Sequence, residues 1–493
     1  MMFNIKKRSL IIIILLMSLV FSSCGNNGNT PAEEITSDLT SSNSEILISE
    51  IAPVTEPAVL STEEIIQEST SNTTEENTTE PKSETPISEI ITIPATEPEL
   101  STEEIVQTFT FISNTTEDTA TEPKSEILIS ETIPVTDELI SSPKEKIQAS
   151  VSNMTLEQKI GQMFFLAFRQ DEAGKDITKI NDNIKQVIND YCIGGVILFS
   201  ENIRNEEQVT QYISDLQQTS YIPLFIGIDE EGGRVLRTNK LDVPRIPPAF
   251  ETGKTGDPQN AYNNAQTIAG YLKPLGFNVD FAPSADVFTN PDNTVIGDRA
   301  FSSDPNKAAE MVKYFTKGLL DNGVLPTVKH FPGHGNTVAD SHYGIAVTNK
   351  TLEELEACEF IPFQAGIDAG TVFVMAGHIS APNADLYGSI LPAEFSGFLL
   401  HDILREQLGF KGIIITDALN MGAISLYYTS EETAVKSVLA GVDMLLMPEN
   451  FKEAYDGLIK AVKSGEITEE RINESVARIL TAKYNAGLIE FTD

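Results

Sequence analysis

The chain has no tryptophan, three cysteines, five histidines, and only 34 Lys+Arg against 72 Asp+Glu in 493 residues. Each scarcity excludes something. Cys24, Cys192 and Cys358 are too few for a disulfide framework, and none sits in a CxxC pair. A formal net charge of −38 excludes a protein that tracks nucleic-acid phosphates. With so few histidines, each can be weighed individually. What remains is ordinary for a folding chain, 41% apolar and 22% charged, at two to three times the length of a typical domain.

Composition divides the chain into three zones. Residues 1–23 carry Lys6, Lys7 and Arg8 and then an apolar run from Leu10 to Phe21, too short for a comfortable membrane span and suited to an export signal. The run ends at Phe21-Ser22-Ser23-Cys24-Gly25, which resembles a bacterial lipobox. That resemblance implies lipidation of Cys24 and an anchor on the outer face of the cytoplasmic membrane. Residues 24–145 hold 26 acidic residues against three lysines and are rich in Ser, Thr, Glu and Pro. Ser61-Thr62-Glu63-Glu64-Ile65 returns as Ser101-Thr102-Glu103-Glu104-Ile105, but neither copy carries an amphipathic segment long enough to bury. Like charge and recurrent Pro predict a disordered, self-repelling spacer. Residues 146–493 have globular composition, enough for one large α/β domain.

That domain opens at Thr155, whose hydroxyl with Gln158 three residues on predicts a capping box. Eight short apolar runs follow, at 164–168, 194–199, 223–229, 277–286, 325–330, 371–378, 411–417 and 440–448. Helical periodicity fills the spaces between them, as at 308–323 and 395–408. Continuous apolar runs mean strands covered on both faces, hence a parallel sheet. Eight units predict a (β/α)8 TIM-type barrel, with a doubly wound open sheet as the alternative. Asp229, Asp286, Lys329, His330, His378 and Asp417 fall at the C-terminal ends of these runs, where a barrel builds its active site.

The densest segment runs from Lys329 to His342 and holds three of the five histidines. Pro332 and Gly333 prevent the helix that would bring His330 and His334 onto one face, so metal is not expected. Asp340 and His342 are two apart, close enough for a carboxylate to orient an imidazole as a proton donor. Asp417 ends the hydrophobic run 412–416 and reads either as a helix cap or as a nucleophile. Cys192, Cys358 and His401 read as structural.

Taken together, the 329–342 segment, Asp229-Glu230-Glu231-Gly232-Gly233-Arg234, residues 290–299, Thr416-Asp417-Ala418-Leu419-Asn420-Met421 and residues 440–448 resemble glycoside hydrolase family 3, specifically its β-N-acetylglucosaminidase branch. The resemblance spans roughly 150–490. It implies Asp417 as nucleophile, His342 as proton donor oriented by Asp340, and Asp229 with Arg237 as contacts to sugar hydroxyls. Arg299, Lys329 and His330 are implied around an acetamido-sugar pocket. It also implies retention by double displacement on N-acetylglucosamine-ended glycans, without cofactor, by a monomer. After a predicted helix at 469–488 no second domain is expected to supply the acid, and a donor on the 340–342 loop makes one unnecessary. A β-glucosidase, a phosphorylase of the same family and a non-catalytic carbohydrate-binding lipoprotein remain alternatives.

Overall fold

The computed structural model describes residues 142–337 and 344–491. The export segment, Cys24, the acidic stretch as far as residue 141, and both Asp340 and His342 lie outside the described residues.

Each apolar run contains one strand: β1 Phe164–Ala167, β2 Gly195–Ile197, β3 Phe225–Ile228, β4 Val279–Asp280, β5 Leu325–Phe331, β6 Phe373–Ala376, β7 Ile413–Thr416 and β8 Leu445–Leu446. All pair in parallel, in the order β8-β1-β2-β3-β4-β5-β6-β7. The ring closes where Ile415 bridges Met444 and the Thr416 N–H donates to the Met444 carbonyl at 3.1 Å. An open doubly wound sheet would leave two edges unpaired. Closure identifies the (β/α)8 barrel.

The helices show why these segments wind. Pro305–Asp321 begins at Asp304, whose carboxylate accepts from the Asn306 and Lys307 amides, and turns Ala308, Val312, Phe315 and Leu319 onto the barrel. The box at Thr155 forms reciprocally, with Gln158 N–H on the Thr155 hydroxyl and Thr155 N–H on the Gln158 amide oxygen. A helix Pro143–Asn153, capped by Ser142 and Glu145, runs across the compositional boundary at 145/146 and buries Ile147 and Val151. Phe398–Gln407 adopts the wider π-helical winding in place of an α-helix. His401 on that helix is exposed and bonded only to its neighbour Asp402 among the described contacts. Cys192 and Cys358 are free and half-buried, less enclosed than their apolar surroundings imply.

The barrel interior is filled by rings. Phe165 lies 5.3 Å from Phe281 and 6.5 Å from Phe225, and Phe225 lies 5.3 Å from Phe373. Room for Phe165 comes from Gly195 and Gly227, where any Cβ would stand 2.8 Å from its ring. Small opposite large is how a closed barrel reaches crystal-like packing.

Two buried charges secure the end where the strands begin. Asp443 is wrapped by Arg405, by the Ile414 N–H at 2.9 Å, by the Ser475 hydroxyl at 2.7 Å and by Arg478 at 3.0 Å, while Arg471 donates to the adjacent Val442 carbonyl. This latch ties the helix Glu469–Asn485 to the seam between β7 and β8. From the same helix Lys483 is fully buried, its Nζ 2.8 Å from Gln162 Oε1 and 5.1 Å from the Phe225 ring centre.

Burial pulls the Lys483 ammonium down to about 7. An unfolded lysine titrates near ~10.4, so between about 7 and 10 the unfolded chain binds more protons and stability rises with pH. Lys483→Met is expected to stabilise the fold at pH 6 by about 1–4 kcal/mol, the range for replacing a buried charge by an apolar isostere. The gain should shrink steadily toward pH 10. Melting temperatures of both proteins across that range check this, and a destabilised variant at pH 6 would refute it.

Candidate active site

The C-terminal rim of the barrel carries a continuous network of buried charge. From the end of β3, Asp229 and Glu231 point to one side, as residues two apart on extended backbone do, while Glu230 points to the other. Lys329, on β5, joins the first two: its Nζ lies 3.0 Å from Asp229 Oδ1 and 2.8 Å from Glu231 Oε1. Arg237 reaches the second Asp229 oxygen at 3.1 Å. Arg299 clamps Glu231 with two hydrogen bonds, 2.9 Å from Nε and 2.7 Å from Nη2, a fork geometry that only arginine supplies.

Glu230 and Asp280 shape the backbone beneath this network. The Glu230 carboxylate accepts from the Arg237 and Thr238 amides, the Thr238 hydroxyl and Tyr271 Oη, closing the segment 230–238 around itself. Gly232 and Gly233 turn that segment at positive φ, 89° and 56°, packed on Ile246 and Pro248 where a side chain has no room. Asp280, at the end of β4, accepts from the Glu230 N–H at 3.0 Å, and its other oxygen is buried without a partner. Burial raises the Asp280 carboxyl well above the usual range and raises Glu230 as well.

His330 continues the network. Its Nδ1 lies 2.8 Å from Asp286 Oδ2 and its Nε2 3.4 Å from Arg299. Arginine can only donate, so the ring carries its hydrogen on Nδ1 and accepts at Nε2. The other Asp286 oxygen takes the backbone N–H of His334 at 2.6 Å and that of His330 at 3.3 Å. His334 is engaged with the Thr337 hydroxyl at 2.6 Å.

Asp417 ends β7. Its N–H donates to the Ala376 carbonyl at 2.8 Å, and Oδ1 accepts from the Ala418 N–H at 2.7 Å. It caps no helix, since the next, Gly422–Ser425, begins at Met421. Burial pushes the Asp417 carboxyl up, but the charge of His378, the Ala418 amide and Lys329 outweigh it, and the group is held below the usual carboxylate range. Similarly, burial opposes ionisation of Glu231 and Asp229, yet Arg299 with Lys329 holds the first far below its ordinary value, and Lys329 with Arg237 lowers the second.

Asp229, Arg237, Arg299, Lys329 and His330 thus form one connected network, with Asp417 on the same rim. Asp340 and His342 lie outside the described residues. The described residues that precede them are anchored, for Asn293 Nδ2 donates to the His334 carbonyl at 2.7 Å and Asn290 Nδ2 to the Thr337 carbonyl at 3.0 Å. The sequence reading missed Glu231 and Glu394. For Glu231 a signal existed, the two-residue spacing from Asp229 on extended backbone. For Glu394 none did, because it comes from a turn far along the chain.

Fold and site together define a (β/α)8 barrel whose C-terminal rim is lined by paired carboxylates and guanidinium groups. The chain belongs to glycosyl hydrolase family 3, whose N-terminal-domain model matches residues 155–482. It is 32% identical over 365 residues to "Beta-hexosaminidase A" of Pseudoalteromonas piscicida, covering 67% of this chain and 61% of that protein. It is 34% identical over 279 residues to a beta-hexosaminidase of Nitrosospira multiformis, covering 55% of this chain and 78% of that one. Among solved structures, a family 3 beta-N-acetylglucosaminidase from Paenibacillus sp. str. FPU-7 superposes with a TM-score of 0.65 at 36% identity, over 69% of this chain and 64% of that one.

Because Glu231 is the shared counter-charge of two buried cations, Glu231→Ala is expected to lower stability at neutral pH by about 3–5 kcal/mol. Chemical denaturation reads this directly. A loss below about 1 kcal/mol would mean that solvent or Asp229 replaces it.

Proposed function

We propose that the chain is a retaining exo-β-N-acetylglucosaminidase that removes terminal N-acetylglucosamine from glycans. The observation that carries this reading is Asp417, a half-buried carboxylate kept ionised at the mouth of β7 on the same rim as the Asp229–Lys329–Glu231–Arg299 network. The names of the relatives support the same substrate class.

In the proposed first step an Asp417 oxygen attacks the anomeric carbon as the bond to the leaving oxygen breaks. His342, oriented by Asp340, delivers its proton to that oxygen. In the second step His342 takes a proton from water, the water oxygen attacks the same carbon, and Asp417 departs as carboxylate. Two inversions give net retention. Asp229 and Arg237 hold neighbouring hydroxyls, and Arg299, Lys329 and His330 wall the acetamido pocket. Contacts that strengthen as the ring flattens lower the barrier. Two carboxylates and an imidazole complete this chemistry without a cofactor. The proposed substrates are N-acetylglucosamine-ended fragments of peptidoglycan or chitin, met by an enzyme lipidated at Cys24 and held off the outer face of the membrane by its acidic spacer.

The test uses the full chain on an aryl β-N-acetylglucosaminide beside the matching β-glucoside, with and without phosphate. Hydrolysis of the first is expected, and Asp417→Ala should lower it by at least about 10⁴-fold with the fold intact. Preference for the glucoside, or a sugar 1-phosphate product, would overturn the reading in favour of a β-glucosidase or a phosphorylase. No turnover by folded protein would leave a carbohydrate-binding lipoprotein. Separately, Cys24→Ser is expected to abolish fatty-acid labelling and release the protein from membranes; unchanged labelling would refute the anchor.

A further inference from the structure

The strand before the nucleophile's ends in a histidine that no step above uses. His378 follows β6 and is completely buried. Its Nδ1 lies 2.5 Å from Glu394 Oε1 and its Nε2 2.9 Å from the carbonyl oxygen of Ala418, the residue after Asp417. A carbonyl only accepts, so Nε2 carries a hydrogen; with Glu394 ionised, its carboxylate only accepts, so Nδ1 carries one too, although burial by itself raises the Glu394 carboxyl. A ring with hydrogens on both nitrogens is an imidazolium. Glu394 is equally buried, and its second oxygen has no partner among the described residues, so its charge is balanced by this ring.

We propose that His378 and Glu394 are a positioning pair for the nucleophile: a buried imidazolium, clamped between Glu394 and the Ala418 carbonyl, fixes the backbone that carries Asp417 and sets a permanent positive charge against its carboxylate. The inference rests on Asp417 acting as nucleophile.

The backbone on either side of Asp417 is then held from the end of β6, at the peptide unit before it and at the unit after Ala418. The Asp417 N–H bonds to the Ala376 carbonyl on one side, and His378 bonds to the Ala418 carbonyl on the other. Among the described residues, the titratable groups that face this assembly are Glu394 and Asp417 against the ring, and His378, His330 and Lys329 against Asp417. Ala418 adds no second carboxylate. With Glu394 beside it, His378 is pushed up to about 9 despite burial, so the ring stays charged through neutral pH. The chemical consequence differs between the two steps. A cation beside Asp417 makes it a weaker nucleophile but a better leaving group, so the charge favours breakdown of the glycosyl ester more than its formation. It also keeps Asp417 ionised at lower pH.

Glu394→Gln separates charge from position. A glutamine amide donates to a neutral Nδ1 while Nε2–H keeps its bond to Ala418, so the ring stays and the charge goes. His378→Gln keeps a donor near Ala418 without the ring. Both variants are expected to move the acidic limb of kcat/KM upward by about one pH unit. They should also lower kcat about tenfold or more with a parallel fall in KM, since the ester then accumulates. Folded variants with an unmoved acidic limb, or with kcat falling while KM holds, would reduce the pair to a structural role and overturn the proposal. A readout independent of turnover is the imidazole ¹⁵N spectrum of the wild-type chain: His378 should be doubly protonated at pH 7, and a neutral ring overturns the proposal even if the enzyme is active. A doubly protonated ring in a chain without activity on any β-glycoside would instead mark failure of the catalytic reading.

Discussion

The Lys329 ammonium is the interaction on which the rim depends. It is buried, and it touches carboxylates from two positions of one segment, Asp229 and Glu231. Removing water from three such groups costs several kcal/mol each unless they neutralise one another. They do so only when β5 and the segment after β3 are in register, with β4 between them. The network therefore stabilises little by its own strength and acts by penalising every arrangement in which a partner is absent. Arg299 and Arg237 extend it outward, and the half-buried Arg237 still leaves donor capacity toward the mouth of the barrel.

Two histidines at this rim illustrate how partners set the state of the same side chain. His330 faces a carboxylate and a guanidinium, one acceptor and one donor, and is satisfied as one tautomer. His378 faces a carboxylate and a carbonyl, and beside an ionised Glu394 it is satisfied as the charged ring. Their positions are alike, His330 in the last residues of β5 and His378 two residues after β6, and nothing in the local residues distinguishes them. The carboxyls divide in the same way: Glu231, between two cations, is held ionised, whereas Asp280, one strand away with an unpartnered oxygen, is pushed toward its neutral form.

This explains what could be read from the residues and what could not. The eight strands were legible because burial on both faces leaves unbroken apolar runs, and each run contains its strand. Asp229, Lys329, His330 and Asp417 were legible because a charged residue closing an apolar strand has few other reasons to be there. Arg237 and Arg299 lie in loops and were found only through resemblance to a family. Glu231, Asp280 and Glu394 carry as much of the electrostatics, yet their roles depend on partners 16 to 98 residues away in the chain, a distance at which spacing says nothing. The limits of the globular part were the least legible, since the helix Pro143–Asn153 is polar on most of its surface and hides its two buried positions, Ile147 and Val151, in an acidic neighbourhood.

The latch at Asp443 has a consequence for the order of events during synthesis. The last strand of the ring is two residues long, and the groups that neutralise the buried carboxylate just before it come partly from Arg471, Ser475 and Arg478. Seven strands can be made while the eighth position is still empty, but the ring cannot shut on a bare carboxylate. The helix Glu469–Asn485 is thus the key to closure, and the ring stays open until that helix has been made and can dock.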